Sequence, residues 1–449
     1  MAESFDVVVL GTGNAGMGVA GVAHAAGMSV AIVESLDVGG TCPLRGCVPK
    51  KVLVAAAQTL AAIDRASEHK ISVGDVSLDW GALMARERTF VEGTPAAFIG
   101  SLESRGIELV RGPAKFSGSH QIDVDGRILD AGKIVIATGS KPRPLAIDGA
   151  AHLITSDDIL EMTALPDSMI FIGGGVIAME LGHESQRAGC NVTILEAMPQ
   201  LLPRMDPGAI AEIERESERI GMKILKSVDV KSIAADGNTL TVSFVHDGVE
   251  KSLSAARVAN GTGRVPNIDG LDLEAGGVTY DGLRIEVDEY LRSVSNLDVY
   301  VAGDALSHTA QLSPVATYEG RLVGDNIVDG DSKIPEYSYM PSAVYTVPAV
   351  ATVGLTEAES NAAGKDYEAK TNDLSSWMSG RTYAETVAWS KVLVENGTGK
   401  ILGAHLAGHG AEEVIHIFAF AMRYGVPASD LSSTVYAYPT FMSDVKNLV

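Results

Sequence analysis

The chain has 449 residues, too many for one ordinary domain, and length alone suggests about three. Its hydrophobic content of 46% supports large cores, while a net charge of −22 argues against nucleic acid or an anionic membrane as the main partner. Three cysteines are too few for a disulfide framework and point to a reducing compartment; with no signal-like leader and no uninterrupted apolar run of about 18 residues, a cytoplasmic protein without a membrane span is expected.

In chain order, residues 5–10 read as a buried strand, followed at once by Gly11-Thr12-Gly13-Asn14-Ala15-Gly16, a small-residue helix over 17–27, and a second strand over 29–33 that ends at Glu34. In this strand–turn–helix–strand context Gly11, Gly13 and Gly16 let a pyrophosphate approach a helix N-terminus, and Glu34 takes a ribose hydroxyl. Gly39-Gly40-Thr41 then opens a loop that carries Cys42 and Cys47, with Pro49 at the start of a helix. One turn brings the two cysteines within disulfide reach, and a helix N-terminus beside Cys47 favours its thiolate. The pair reads as redox-active rather than structural.

Helices are predicted over 51–68 and 80–105, and strands over 107–110, 120–124 and 133–136. Ala137-Thr138-Gly139-Ser140, with Pro142 and Pro144 beyond, marks a crossing into another domain. A second unit repeats the first: a strand over 168–172, Gly173-Gly174-Gly175-Val176-Ile177-Ala178, a helix over 179–189, a strand over 191–195 and Glu196. The distance from first glycine to terminal acid is 23 residues in both units, which argues for two dinucleotides. Glu196 would accept from a ribose 2′-hydroxyl and repel a 2′-phosphate, favouring NADH over NADPH, with Arg204 close enough to soften that preference. Short strands and hairpins fill 222–260. Gly261-Thr262-Gly263-Arg264 marks the return crossing, a strand over 299–302 leads into Gly303-Asp304-Ala305, and Pro314 opens a helix. From about Lys333 the pattern is a separate α+β domain, with strands over 343–346 and 387–394, a helix over 412–424, and an end at Thr434-Val435-Tyr436-Ala437-Tyr438-Pro439-Thr440. Cys190 reads as a small buried apolar residue, and His409 and His416 as a loop and a helix histidine.

The motifs GTGNAG, GGTCPLRGCVPKK, IATGS, GGGVIAMELG, GTGR, VAGDA, TVPAVATVGLTEAE and TVYAYPT occur in an order that resembles the flavoprotein disulfide reductases, among them glutathione reductase, dihydrolipoamide dehydrogenase and mercuric reductase. The likeness covers essentially the whole chain. It implies an α/β fold with two Rossmann-like dinucleotide-binding domains plus a C-terminal α+β dimerisation domain. Mapped onto this sequence, these are an FAD-binding part at 1–146, an NAD(P)H-binding domain at 147–264, a second FAD-binding part at 265–332 and an interface domain at 333–449. It also implies a homodimer that binds FAD and a nicotinamide nucleotide and acts on a small-molecule substrate, with no metal site. Residue by residue, Gly11, Gly13, Gly16 and Glu34 match the FAD adenosine–pyrophosphate site, and Asp304 matches the flavin ribityl contact. Gly40, Thr41, Thr138, Gly139, Gly263, Arg264 and Gly303 complete the cofactor positions. Lys50 matches the lysine near the flavin N5 and Glu180 its paired acid; a buried lysine needs such a counter-charge. Gly173, Gly175 and Glu196 match the nicotinamide-dinucleotide site. The arginine positions of some NADPH-dependent members fall on Ala197 and Pro203, which strengthens NADH.

Two departures stand out. The family's C-terminal His-Pro-Thr is Tyr438-Pro439-Thr440 here, and the accompanying Glu position is Ser443, next to Asp444. A tyrosine, with a pKa near ~10, donates a proton at neutral pH but is a poor base. Tyr436 and Tyr438 also read as interface packing. In the cysteine loop, Leu44 replaces the usual Asn, and Arg45 is placed to stabilise a thiolate or an anionic substrate. The expected activity is that of an NAD(P)H:disulfide oxidoreductase-like flavoenzyme with Cys42, Cys47, Lys50, Glu180 and Tyr438 in the catalytic set. The flavin would reduce the pair through Cys47. Cys42 would attack a small disulfide, persulfide or thiol-linked substrate, and Tyr438 of the partner subunit would donate the proton. The alternatives are a flavin-level reductase of quinones, metal ions or oxygen, and a dihydrolipoamide-dehydrogenase-like subunit of a larger assembly.

Overall fold

The computed structural model describes residues 2–449. They divide into two compact units. One joins the chain up to Lys51 with Ala85–Arg143 and Arg264–Glu336; the other joins Val52–Met84, Pro144–Gly263 and Tyr337–Val449. In chain order, the elements that carry the candidate site are β1 (Glu3–Leu10), α1 (Asn14–Ala25), β2 (Val30–Glu34), α2 (Thr41–Arg45), α3 (Cys47–Asp64), β3 (Arg127–Ile136), β4 (Ser168–Ile172), α4 (Val176–Arg187), β5 (Asn191–Leu195), α5 (Pro207–Arg219), β6 (Val299–Val301), α6 (Ser313–Asp329) and α7 (Ala411–Tyr424).

The first unit is built on a seven-stranded sheet in which β2, β1, β3 and β6 run parallel. Val7, Val8, Val9 and Leu10 are buried, as a strand covered on both faces requires. The antiparallel strands Gln121–Val124 and Ala114–Gly118 extend the sheet beyond β3. Helices α1 and α6 pack against each other through small residues: a Cβ on Gly320 would lie 2.2 Å from the Ala15 carbonyl oxygen, and one on Gly324 2.7 Å from the Val22 Cβ. The strand expected over 133–136 is the end of the ten-residue β3. The helix expected over 80–105 is two helices, Trp80–Val91 and Thr94–Arg105, because Gly93 caps the second and Pro95 sits in its first turn.

The second unit contains a parallel sheet ordered Lys223–Leu225, β5, β4 and Arg257–Asn260, a three-stranded antiparallel sheet over 229–255, and a five-stranded antiparallel sheet from the C-terminal part. Helix α7 buries Val414, Ile415 and Phe418 in the core beside the five-stranded sheet. Helix α5, absent from the sequence reading, is capped by Asp206, whose carboxylate accepts from Gly208 N at 2.8 Å. The Asp206 carboxylate also pairs with Lys391 at 3.0 Å, and both side chains are almost wholly buried.

The helix expected from residue 51 begins at Cys47 and is preceded by the short α2, so Thr41–Asp64 forms a nearly continuous helical segment. Among the described residues it is the one helical span long and apolar enough to cross a membrane by length and composition. Its Leu53, Val54, Ala57 and Ala61 are buried in the cores of the second unit.

Candidate active site

The GTGNAG turn joins β1 to α1. Gly11 has φ +109°, and a Cβ on Gly16 would lie 1.9 Å from the Gly11 carbonyl oxygen, so both positions exclude a side chain. Gly13 faces open space at the start of α1, where the first backbone N–H groups point outward. Glu34 closes the turn: one carboxylate oxygen accepts from Thr12 N at 3.0 Å and Thr12 Oγ1 at 2.6 Å, and the other from Leu36 N at 2.9 Å. Thr12 was not singled out in the sequence, yet its hydroxyl also accepts from Gly39 N at 2.9 Å. The nucleotide turn is thereby fastened to the cysteine loop. Gly40, with φ +76°, completes the contact, because a Cβ there would fall 2.6 Å from Gly13 Cα.

Cys42 lies in α2, half-buried, and Cys47 is the exposed first residue of α3; both are free thiols. The two sulfurs hydrogen-bond to each other, and Ser313 Oγ, at the first residue of α6, donates to Cys42 Sγ at 3.1 Å. Accepting from Cys47 lowers the pKa of Cys42 to about 6, with further help from Ser313 and the Lys50 ammonium against the opposing effect of burial. Cys47, as the donor to that thiolate, is pushed up instead. The backbone N–H of Cys47, at the start of α3, lowers the pKa of Cys47 as the sequence suggests, but the same N–H also donates to Cys42, and the thiol–thiol hydrogen bond acts in opposite directions on the two. Arg45 forms an ion pair with Asp37 at 3.5 Å.

A second group in this unit gathers around Ser140. Its hydroxyl donates to the Asp304 carboxylate at 2.9 Å and accepts from Arg264 Nε at 2.9 Å, while Arg264 donates to Ser140 O at 2.6 Å. Burial raises the Asp304 pKa, opposed by Ser140 and Arg264. Gly303 N donates to the buried Glu319 carboxylate at 2.7 Å, which fixes the turn that presents Asp304. Thr138 Oγ1 is buried without a hydrogen-bond partner, and the positions of Gly139 and Gly13 are open to an incoming group. A buried hydroxyl lacking a partner, an open helix N-terminus and a buried carboxyl fit an extended, phosphate-bearing cofactor such as FAD.

The second unit repeats the glycine turn. Gly173 has φ +95°, and Gly175 precedes α4. Glu196 accepts from Gly174 N and, through its other oxygen, from Met198 N at 2.6 Å. These are the bonds that Glu34 makes to Thr12 N and Leu36 N, one residue past the first glycine and two past the acid. Arg204, Ala197 and Met198 are exposed nearby in sequence. Glu180, on α4, is buried and accepts from Tyr345 N at 2.9 Å. Gly263 has φ +95° and faces open space. Cys190 is 1% exposed, and burial raises its pKa to about 12, which fits the small apolar residue read from the sequence.

In the C-terminal part of this unit Tyr438 is 70% exposed. Tyr436 donates to Leu431 O at 3.0 Å. His409 is held between rings, 4.7 Å from Phe441 and 5.4 Å from Tyr383 between centroids, and its Nδ1 pairs at 3.2 Å with Glu385, whose side chain is 2% exposed. The Glu385 carboxylate raises the His409 pKa. His416 lies on the exposed side of α7. Among the described residues, no group of three or more His, Cys, Asp and Glu side chains converges to hold a metal ion.

Comparison with known proteins places this geometry among relatives. Residues 5–320 match the family model described as pyridine nucleotide-disulphide oxidoreductase, and residues 340–449 match the model of its dimerisation domain. The dihydrolipoyl dehydrogenase of Mycobacterium tuberculosis is 31% identical over 446 residues, covering 97% of this chain and 95% of the relative. The mercuric reductase of Streptomyces lividans is 32% identical over 452 residues, covering 98% and 95% respectively. Among solved structures, the Cu(II) complex of the HOCl-induced flavoprotein disulfide reductase RclA from Escherichia coli is similar with a TM-score of 0.89 at 25% identity, covering 100% of this chain and 99% of that one.

Proposed function

Because the chain belongs to the pyridine nucleotide-disulphide oxidoreductases, flavoprotein enzymes that work with FAD and a nicotinamide nucleotide, we propose that it uses NADH to reduce a Cys42–Cys47 disulfide, and through it a small disulfide, persulfide or other thiol-linked substrate. The observation that carries this reading is the contact of two free thiols on a glycine-braced turn, with the pKa of Cys42 lowered to about 6. Bound FAD supplies the two-electron link between nicotinamide and cysteines. Gly11, Gly13, Gly16, Glu34, Gly40, Thr41, Thr138, Gly139, Gly303 and Asp304 would hold it, with Gly263 and Arg264 at the crossing. The proposed FAD-binding parts are 1–146 and 265–332.

Reducing the cysteine disulfide takes two electrons and two protons. The Cys42 thiolate then attacks a substrate sulfur and expels the first product as a thiolate, leaving a mixed disulfide. Cys47 loses its proton, attacks Cys42 Sγ, releases the second product and restores the disulfide. The two product sulfurs take up the two protons shed by Cys42 and Cys47, one of them relayed by Tyr438 of the partner subunit, which gives its phenolic proton to the leaving thiolate and regains one from solvent. Lys50 and Glu180 take the roles of cofactor-side lysine and counter-charge.

The preference for NADH rests on Glu196, with Ala197 and Pro203 where a basic pair would be needed, and on Gly173 and Gly175 within a nicotinamide domain at 147–264. A homodimer through 333–449 is part of the proposal. The match to the dimerisation domain supports it, as do apolar side chains left exposed there: Phe420 at 61%, Tyr424 at 71% and Val435 at 96%. The names of the relatives do not converge on one substrate. A metal bound as a thiolate complex fits the same cysteine pair, in keeping with the mercuric reductase relative and the Cu(II) complex of RclA.

An anaerobic titration of the purified flavoprotein with NADH, and separately with NADPH, tests the reading. Uptake of four electrons per flavin, more readily from NADH, is the expected result. Bleaching complete at two electrons would overturn the dithiol route and leave quinones, free metal ions and oxygen as the acceptors to assay.

A further inference from the structure

We propose that His409 is a positioning residue for the proton donor: by stacking on Phe441 while bonded to Glu385, it fixes the turn that holds Tyr438 out toward the partner subunit. This rests on the proton-donor role proposed above for Tyr438 and adds what keeps that side chain in place.

The Tyr438 side chain is 70% exposed, so its place follows from the turn that carries it. That turn is stiff within itself. Thr440 Oγ1 donates to Ala437 O at 2.8 Å and accepts from Ser443 N at 3.0 Å, and Ser443 Oγ donates to Thr440 O at 2.6 Å. Residues 437–443 are thereby tied into one piece. Asp444, which accepts from Ser379 Oγ, and Phe441 fasten this piece to the second unit. Phe441 borders a cleft lined by Leu374, Trp389, Leu406, Val414 and Leu448, so its ring is not clasped on every side. The stack on His409, with centroids 4.7 Å apart and planes 16° from parallel, supplies a wall that the cleft leaves out. His409 is itself held: its Nδ1 pairs with Glu385 at 3.2 Å, and Arg65, the residue after α3, grips the same buried carboxylate at 3.3 Å. Tyr383 stacks on His409 and also meets Phe441, at 5.4 Å in both cases. Arg65, Glu385, His409 and Phe441 form a line of contacts that ends three residues from Tyr438. Charge adds to the grip, because a protonated imidazole over an aromatic face is attracted to it as well as packed on it. The charged groups that face the ring are Glu385, Arg65, Glu412 of α7 and Asp444, which lines the same cleft. Glu385 has the largest effect and keeps the ring charged to higher pH than an ordinary histidine, against burial and Arg65. The hold on Phe441 is therefore firmest with His409 protonated and slackens as pH rises through its raised pKa.

The test compares two disulfides that differ in their need for a proton. The flavin-loaded enzyme, with NADH as donor, is assayed with bis(hydroxyethyl) disulfide, whose alkyl thiolate is a poor leaving group without a proton, and with dithiobis(nitrobenzoate), whose aromatic thiolate leaves unprotonated. The alkyl-to-aromatic ratio of kcat/KM isolates proton delivery from the reduction of the flavin. His409→Ala is expected to lower this ratio about tenfold, a part of the ~10²–10⁴-fold that a general acid supplies, and to lower it no further in a Tyr438→Phe background. In the natural protein the ratio is expected to fall between about pH 6.5 and 8.5, a range that starts at the ordinary histidine pKa. His409→Phe keeps the stack without the charge; it is expected to regain most of the ratio lost in His409→Ala and to show no such fall. A drop of less than about twofold in His409→Ala, within the scatter of additive effects, would overturn the proposal, as would an undiminished drop in the Tyr438→Phe background. Should His409→Ala lose its flavin, the pH profiles decide: parallel profiles for the natural protein and His409→Phe would overturn it. The readings fail separately. Reduction of neither disulfide removes the dithiol route. Reduction of both with a ratio untouched by Tyr438→Phe removes the proton donor and, with it, the need to position it. A ratio that answers to Tyr438→Phe but not to His409→Ala removes only the role of His409.

Discussion

In the proposed mechanism Tyr438 would deliver a proton at neutral pH but would not accept one, so activation of the Cys42 nucleophile would fall to its surroundings. Cys42→Ser is expected to abolish NADH-dependent disulfide reduction while NADH oxidation by an artificial quinone continues; disulfide turnover surviving in Cys42→Ser would sink the dithiol route. Tyr438→Phe is expected to lower kcat for a disulfide substrate toward the lower end of the ~10²–10⁴-fold range of general acid catalysis. A kcat within twofold of the natural protein would relegate Tyr438 to packing. His409 raises a different question of charge. Its pKa is raised by Glu385, with Glu412 adding to the rise and Arg65 and burial opposing it. A folded-state pKa above the unfolded one means that the stabilisation is fully present below the ordinary histidine pKa and is lost as pH rises through the folded value. The Tm difference between the natural protein and His409→Gln is therefore expected to be larger at pH 5.5 than at pH 8.5, both flanking the ordinary histidine pKa of ~6.5. A difference independent of pH would show that the ring stacking on Phe441 and Tyr383, not the ion pair, is what His409 contributes.

Single elements can fail in ways that separate cofactor binding from folding. Gly16→Ala would drive a methyl group to within 1.9 Å of the Gly11 oxygen, and either the turn or α1 must move. The expected outcome is a folded protein purified with little flavin, read from the ratio of flavin to protein absorbance; full flavin occupancy would show that the turn is more yielding than its packing implies. Asp206→Ala removes the α5 cap and strands the Lys391 ammonium, whose other partner is Glu357. Breaking a buried pair costs about 3–5 kcal/mol, measurable as a lower urea midpoint, and a loss below about 1 kcal/mol would mean that Glu357 alone satisfies Lys391. These two elements also mark where the sequence was legible. The glycine turn showed itself because its chemistry is local: strand, glycines, helix and acid fall within one short stretch. The same holds for the strands 168–172 and 191–195, which the structure keeps unchanged. Helix α5 was missed although Asp206-Pro207 is a standard start signal, because no motif drew attention to it. Ser313 and Thr12 had no local signal at all. Ser313 meets Cys42 from 271 positions away, and Thr12 meets Gly39 and Glu34 only once β1 and β2 lie side by side.

For the whole molecule the dominant electrostatic fact is the excess of 57 acidic over 35 basic residues. The repulsion is spread over the surface and is screened as ions are added, with a Debye length that shrinks to ~10 Å at 0.1 M salt. The Tm is expected to rise with sodium chloride from about 0.02 to 0.5 M, a range over which screening grows severalfold. A flat or falling Tm would mean that paired surface charges, such as Arg127 with Glu3 and Glu108, outweigh the net repulsion. The two glycine turns carry a consequence on a longer timescale. In each, the terminal carboxylate staples its own turn with both oxygens, Glu34 in the first and Glu196 in the second. Under the proposed NADH reading, the atoms that would discriminate between coenzymes are also atoms that hold the turn in shape. A substitution at 196 chosen to admit a 2′-phosphate would loosen the pocket it was meant to retune. On that reading a workable switch of coenzyme would have to bring a replacement acceptor for Gly174 N and Met198 N along with the new charge.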